Sequence, residues 1–180
     1  KVSTGAIQAL IDSLGSDMRE LAGACSQLSA DVEARKTIDE NDVAKFQQGR
    51  VEMTGYDVAD AVMEGRVEAA LIALRQALAT GVDPVLVVSA LASSIRTMAK
   101  VSSLARGANS FQAASSLGLP PWQIDKARRQ LAGWNGAGIT TAMSAIARAD
   151  GQVKGGGADP AFACEQALMA IAAARSSLSQ

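Results

Sequence analysis

The sequence predicts an all-α fold built as two units. Three observations carry that expectation. Apolar residues recur at i, i+3, i+4 and i+7 through most of the chain, which is the signature of one helical face. Aromatic residues make up only 3% against 48% hydrophobic, so the core is aliphatic and suited to close helix packing. Breaks between the periodic stretches carry Gly, Pro, Asn and Asp, the residues that stop and start helices.

Taken in order, "TGAIQALIDSL" (4–14) places Ile7, Leu10, Ile11 and Leu14 on one face, and Gly15 stops it. Ser16 caps a second helix, "DMRELAGACSQLSA", with Asp17 and Glu20 in its first turn and a stripe of Met18, Leu21, Cys25 and Leu28. Thr37-Ile38-Asp39 opens a third short helix, "ENDVAKFQQ", with Val43 and Phe46 inward. These three form a small bundle over residues 1–48. "GRVEMTGYDV" shows no helical period and reads as a linker. Beyond it, helices are expected over 57–63, 67–79, 84–104, 110–116, 121–134, 139–153 and 160–178, giving a larger helical domain over 49–180.

Composition narrows the chemistry. With 180 residues, no histidine and a net charge of −1, the chain lacks imidazole acid-base groups, and its bulk charge does not call for nucleic acid. No Gly-Lys pair exists, so a phosphate loop of the Gly-x4-Gly-Lys type is absent; "KGGGADP" places its Lys first, after a helix. Asp39/Glu40 and Asp57/Asp60 read as helix-start residues, Cys25 and Cys164 as small core residues, and Met53, Met63, Met98, Met143 and Met169 as core filler. Neither a cofactor nor a metal site is expected, and the apolar runs are too short or too charged to predict a membrane span.

"LGLPPWQIDKARRQL" (117–131) concentrates the interest. From Arg96 to Trp134, Arg96, Lys100, Arg106, Lys126, Arg128 and Arg129 stand against Asp125 alone, a local surplus of +5. Two readings are open. A basic helix over 121–134 can serve a helical DNA-binding regulator. Alternatively it packs its apolar side, through Trp122, Ile124, Ala127, Leu131 and Trp134, and turns its charges to solvent, a partner or a DNA backbone. Trp122 and Trp134 are expected as core or interface anchors. Arg96, Lys100, Lys126, Arg128, Arg129 and Lys154 are the candidate partner or DNA-backbone surface.

Several segments together resemble a known family. "LGSDMRELAGACSQL" followed by "IDENDV", the stretch from Tyr56 to Val101, "LGLPPWQIDKARRQL", and "ARADGQVKGGGADPAFACEQALMAI" follow the order and spacing of the bacterial DNA polymerase III delta subunit. The resemblance implies a lid-like small domain at 1–48 and a collar, or oligomerisation, domain at 49–180. It implies a cytoplasmic, non-catalytic scaffold of the clamp loader. The implied partners are other loader subunits of the gamma/tau and delta-prime types, and primed DNA met without regard to sequence. Contact with the sliding clamp is implied through an N-terminal domain that has no counterpart in this sequence.

Overall fold

The computed structural model describes residues 1–14, 18–32, 36–105 and 107–176. The expectations placed on Gly15, Ser16, Asp17, Arg106 and residues 177–178 lie outside them. The described residues form helices α1 (Thr4–Leu14), α2 (Met18–Asp31), α3 (Glu40–Met63), α4 (Val67–Ala79), α5 (Pro84–Ser102), α6 (Ser110–Leu117), α7 (Pro121–Gln130), α8 (Gly136–Gly151) and α9 (Pro160–Ser176). A wide turn, Gln152–Gly156, follows α8. The one extended pairing among the described residues is an isolated bridge between Val2 and Ile38. The chain divides into a unit of Lys1–Glu52 and a unit of Met53–Gln180.

The helix starts have local causes. Asp39 Oδ1 accepts from the backbone N–H groups of Asn41 (2.9 Å) and Asp42 (3.1 Å), which otherwise have no partner at a helix N-terminus. Asp83 does the same for Val85 at 2.8 Å, with Pro84 at the first helical position. Asn109, Asn135 and Asp159 cap α6, α8 and α9 in the same manner. Gly118 ends α6 in the left-handed conformation at φ 63°.

The linker expected at 49–58 is instead helical and belongs to α3. Proline is absent there, and an isolated glycine costs a helix about 1 kcal/mol. Burial of Val58, Ala59, Ala61, Val62 and Met63 outweighs that cost. Gly55 lies against α5: a Cβ there would stand 3.4 Å from the Cβ of Ala90, in van der Waals contact.

In the first unit the core consists of Ala6, Leu10, Ala24, Leu28, Ile38 and Val43, with Ala9, Leu14, Leu21, Val32 and Phe46 against it. The buried faces differ from the expected stripes. Ile7 and Ile11 are about half exposed, Met18 is 79% exposed and Cys25 is exposed. Alanine permits closer helix contact than isoleucine, so Ala6 and Ala24 take the inward positions.

In the second unit α5 is central and packs against α7, α8 and α9. Its Val87, Val88, Leu91, Ile95, Met98 and Val101 are buried. By length and composition this helix is also apolar enough to cross a membrane; packing of its apolar side against sister helices accounts for that composition. Helix α7 buries Ile124 and Ala127 but ends at Gln130, four residues before its expected end, so Trp134 lies beyond it. Of the methionines expected as filler, Met63 and Met98 are buried, whereas Met53, Met143 and Met169 are exposed. The Cys164 thiol is buried beside Asp83, and desolvation first, then that carboxylate, pushes it from 9.0 up to about 11.

Two outcomes follow from this packing. Ile124→Ala removes a side chain with 0% exposure and is expected to lower unfolding stability in urea by about 2–5 kcal/mol. With an aromatic disulfide reagent at pH 8, one thiol (Cys25) is expected to react at once and Cys164 only after denaturation. Because the folded-state value of Cys164 is raised, the unfolded chain releases its proton first; stability is then full below pH 9 and declines as pH rises toward about 11. Cys164→Ala removes that decline.

Candidate functional site

A groove of about 370 Å³ opens in the second unit where the C-terminal half of α3, the outer side of α5 and helix α7 meet. Tyr56 and Met53 of α3, Ser93 and Thr97 of α5, and Trp122 and Gln123 of α7 line it. Three of these are large and solvent-facing: Met53 at 69%, Trp122 at 62% and Tyr56 at 42% exposure. Of the two roles expected of Trp122, core or interface anchor, its exposure leaves the interface one. Pro120 and Pro121 explain its place. They start α7 abruptly, and Trp122 in the first turn falls opposite Ile124 and Ala127, which carry the buried face.

Polar groups form the groove floor. Asp60 Oδ2 accepts from Lys126 Nζ at 2.5 Å, and its Oδ1 accepts from Gln130 Nε2 at 3.0 Å. The side chains of Lys126 and Asp60 are 33% and 22% exposed, so the pair is partly desolvated and still reaches the groove. The sequence points to Lys126 and misses its partner. Asp60, with Asp57, is expected at a helix start, but both lie inside α3. The available signal is the apolar context of Asp60 in "VADAV", since a carboxylate set among buried residues needs a counter-group.

Arg128 is also engaged within the unit. Its guanidinium donates to Ser110 Oγ at 2.9 Å and to the carbonyl oxygen of Ala108 at 2.5 Å, and it stands 4.0 Å from Asp125. Ser110 in turn donates to Asp125. Together these bonds tie the start of α6 to α7. Lys154 pairs with Asp150 one helical turn back, at 2.7 Å. Trp134 is half-buried and its indole N–H donates to the carbonyl oxygen of Met63 at 2.9 Å, which fastens the α7–α8 turn to the end of α3.

Three of the six expected surface cations remain open. Arg96, Lys100 and Arg129 are exposed, and none has a hydrogen bond or ion pair within the described residues. Lys100 follows the groove residue Thr97 by three, and Arg129 follows Trp122 by seven, which puts each on the same side of its helix as the groove wall. Arg96 lines the neighbouring groove between α5 and α8, with Met143, Asp150 and Lys154. The result is a surface of stacking faces, hydroxyls, an amide and two carboxylates, Asp57 and Asp60, edged by unpaired cations. Its chemistry suits non-covalent recognition through ring faces and polar edges, with charge supplied from the rim. Among the described residues no group of His, Cys, Asp or Glu side chains is placed to hold a metal ion.

A second, more apolar groove of about 360 Å³ runs between α8 and α9, where Phe162 and Met169 are each 54% exposed beside Ala145 and Ala149. Arg175, near the end of α9, is the remaining polar feature. Its guanidinium lies against Gly65 and Gly133, both left-handed at φ 83° and 96°, and donates to the carbonyl oxygen of Ala132 at 3.1 Å. Its Nε is buried without a partner.

Comparison with known proteins sets these features in a family. No curated protein sequence matches the chain. A solved structure, the Bacillus subtilis DNA clamp loader delta protein (YqeN), superposes with a TM-score of 0.63 at 17% identity, covering 96% of this chain and 51% of that one. The chain thus spans about half the length of that relative and shares its fold. The family described as DNA polymerase III delta subunit, C-terminal domain, matches residues 52–171, two thirds of the sequence and nearly all of the second unit. The chain belongs to this family, that of the C-terminal domain of the DNA polymerase III delta subunit.

Proposed function

We propose that this chain is a non-catalytic scaffold of a cytoplasmic clamp loader, working in DNA replication by holding its sister proteins together and guiding primed DNA. The single observation that carries this reading is the family match across residues 52–171. The first unit, with residues 1–48 as its lid-like part, connects the collar to the remainder of a delta subunit, and contact with the sliding clamp falls to that remainder. The partners in the ring are loader subunits of the gamma/tau and delta-prime types.

Two surfaces divide the work. The apolar groove between α8 and α9, with exposed Phe162 and Met169, supports docking of a sister subunit. Large apolar groups left outside a core are the usual anchors of contacts between subunits. The groove beside α5 supports DNA. Trp122 and Tyr56 offer faces for bases, and Arg96, Lys100 and Arg129 offer charge for phosphates. Ring faces and open charges meet bases and phosphates of any sequence, which supports a sequence-blind contact. Lys126 and Arg128 serve the fold itself, which disfavours a regulator built on the basic helix 121–134.

Co-purification with the other loader subunits tests the scaffold reading. Phe162→Asp is expected to weaken that association by at least about 2 kcal/mol, roughly thirtyfold, while leaving the far-ultraviolet dichroism unchanged. Fluorescence anisotropy with labelled oligonucleotides tests the DNA surface. Binding is expected to fall with salt, to be indifferent to scrambling of the sequence, and to drop by about 1–3 kcal/mol in Trp122→Ala. A preference of several kcal/mol for one duplex sequence would instead favour the regulator.

A further inference from the structure

We infer that Asp60 sets the specificity of the groove beside α5: by neutralising Lys126 it makes the floor admit unpaired bases and turn phosphates away. The inference rests on the reading of this face as a DNA surface. It begins from a contrast within the groove. Its lining carries one cation, Lys126, whose Nζ lies 2.5 Å from Asp60 Oδ2, and a second carboxylate, Asp57, which adds to the exclusion of phosphate. The cations that have no partner, Arg96, Lys100 and Arg129, all lie outside the floor.

A phosphate brought down onto Lys126 would come within a few ångströms of a carboxylate that is already paired. It would meet repulsion from Asp60 together with the attraction of the ammonium, in a partly desolvated place where both are strong. An uncharged base meets no such conflict. The ring of Trp122 and that of Tyr56 offer it stacking surfaces, and Ser93, Thr97, Gln123 and the free lone pairs of Asp60 offer hydrogen bonds to its edge. A base held in a duplex has its edge and both faces already occupied. The floor therefore favours single-stranded over double-stranded DNA, and phosphates are left to the outer cations. Gln130, bonded to Asp60 Oδ1 at 3.0 Å, fixes the carboxylate so that it does not swing away from Lys126.

The test measures affinity against salt for a labelled single strand and for the matching blunt duplex, with the full chain. Asp60→Asn keeps the shape of the side chain and an acceptor oxygen, and releases Lys126. It is expected to bind the single strand several-fold more tightly at low salt. The slope of log K against log salt should steepen by about 0.7, the value for one added phosphate on a single strand, and the preference over duplex should shrink. Adding Lys126→Gln to it returns the floor to the parent's net charge and is expected to return slope and preference to the original values. A folded Asp60→Asn protein with an unchanged slope would overturn the inference. So would a double variant with a slope shallower than the parent by about 0.7, because Lys126 would then already be meeting a phosphate. If Asp60→Asn does not fold, as judged by its thermal melt, the double variant decides by the same comparison. Trp122→Ala separates the two levels. If it weakens binding while the Asp60 variants leave the slope alone, only the present inference falls; if the parent chain binds neither oligonucleotide, the DNA reading falls and this one with it.

Discussion

Close approach of helices through alanine is the constraint from which this structure follows. Ala59, Ala61, Ala70, Ala77, Ala90, Ala127, Ala142, Ala145, Ala149, Ala163, Ala167 and Ala174 are all buried. Each removes little apolar area from water compared with a leucine, so stability depends on how many contacts are made and how tightly. Helices that meet over such surfaces leave little room between them. Valine, isoleucine, leucine, Met63 and Met98 fill that room, and Trp122, Phe162, Met53 and Met169 remain outside. The features that make the second unit useful to partners are in this sense products of its core.

The same constraint explains which parts of the structure can be foreseen. Helix bounds are readable where apolar spacing runs unbroken between turn residues, with or without a capping side chain. Thr4–Leu14 and Val67–Ala79 have the bounds expected of them, and the Asp-Pro start at Asp83 caps α5. The inward face is less readable. Periodicity marks the largest apolar residues, and in α1 it marks Ile7 and Ile11, while the interior accepts Ala6 and Leu10. Cys25 and three methionines also stand outside, against the reading of them as core. The supposed linker fails on a different point: two glycines and a lack of period look like a break, yet nothing there forbids a helix, and the apolar residues after Gly55 hold it in place.

At the candidate site, the residue types are readable and their pairing is not. Six cations and two tryptophans are visible as a basic, aromatic neighbourhood. Which of them are committed to the fold depends on groups 18–71 positions away: Asp60 for Lys126, Ala108 and Ser110 for Arg128, Met63 for Trp134. Local charge counting has no access to such partners. A surplus of +5 in the chain is in fact three open charges among the described residues, set along one helix face and one neighbouring helix. The distinction matters physically, because a partly buried ion pair holds helices together, whereas an open cation is available to a passing polyanion.

The Arg175 guanidinium bears on how far the molecule tolerates change at its carboxyl end. Glycine is required at both turns by φ of 83° and 96°, and the guanidinium fills the space that a Cβ at Gly65 or Gly133 would take. Two separate turns have thus been shaped around one side chain, and a lysine, with neither the planar head nor the second arm, would not occupy the same slot. Loss of this one side chain would loosen both turns at once, and Trp134, which is anchored to the carbonyl of Met63 beside one of them, would register the damage as a change in its fluorescence.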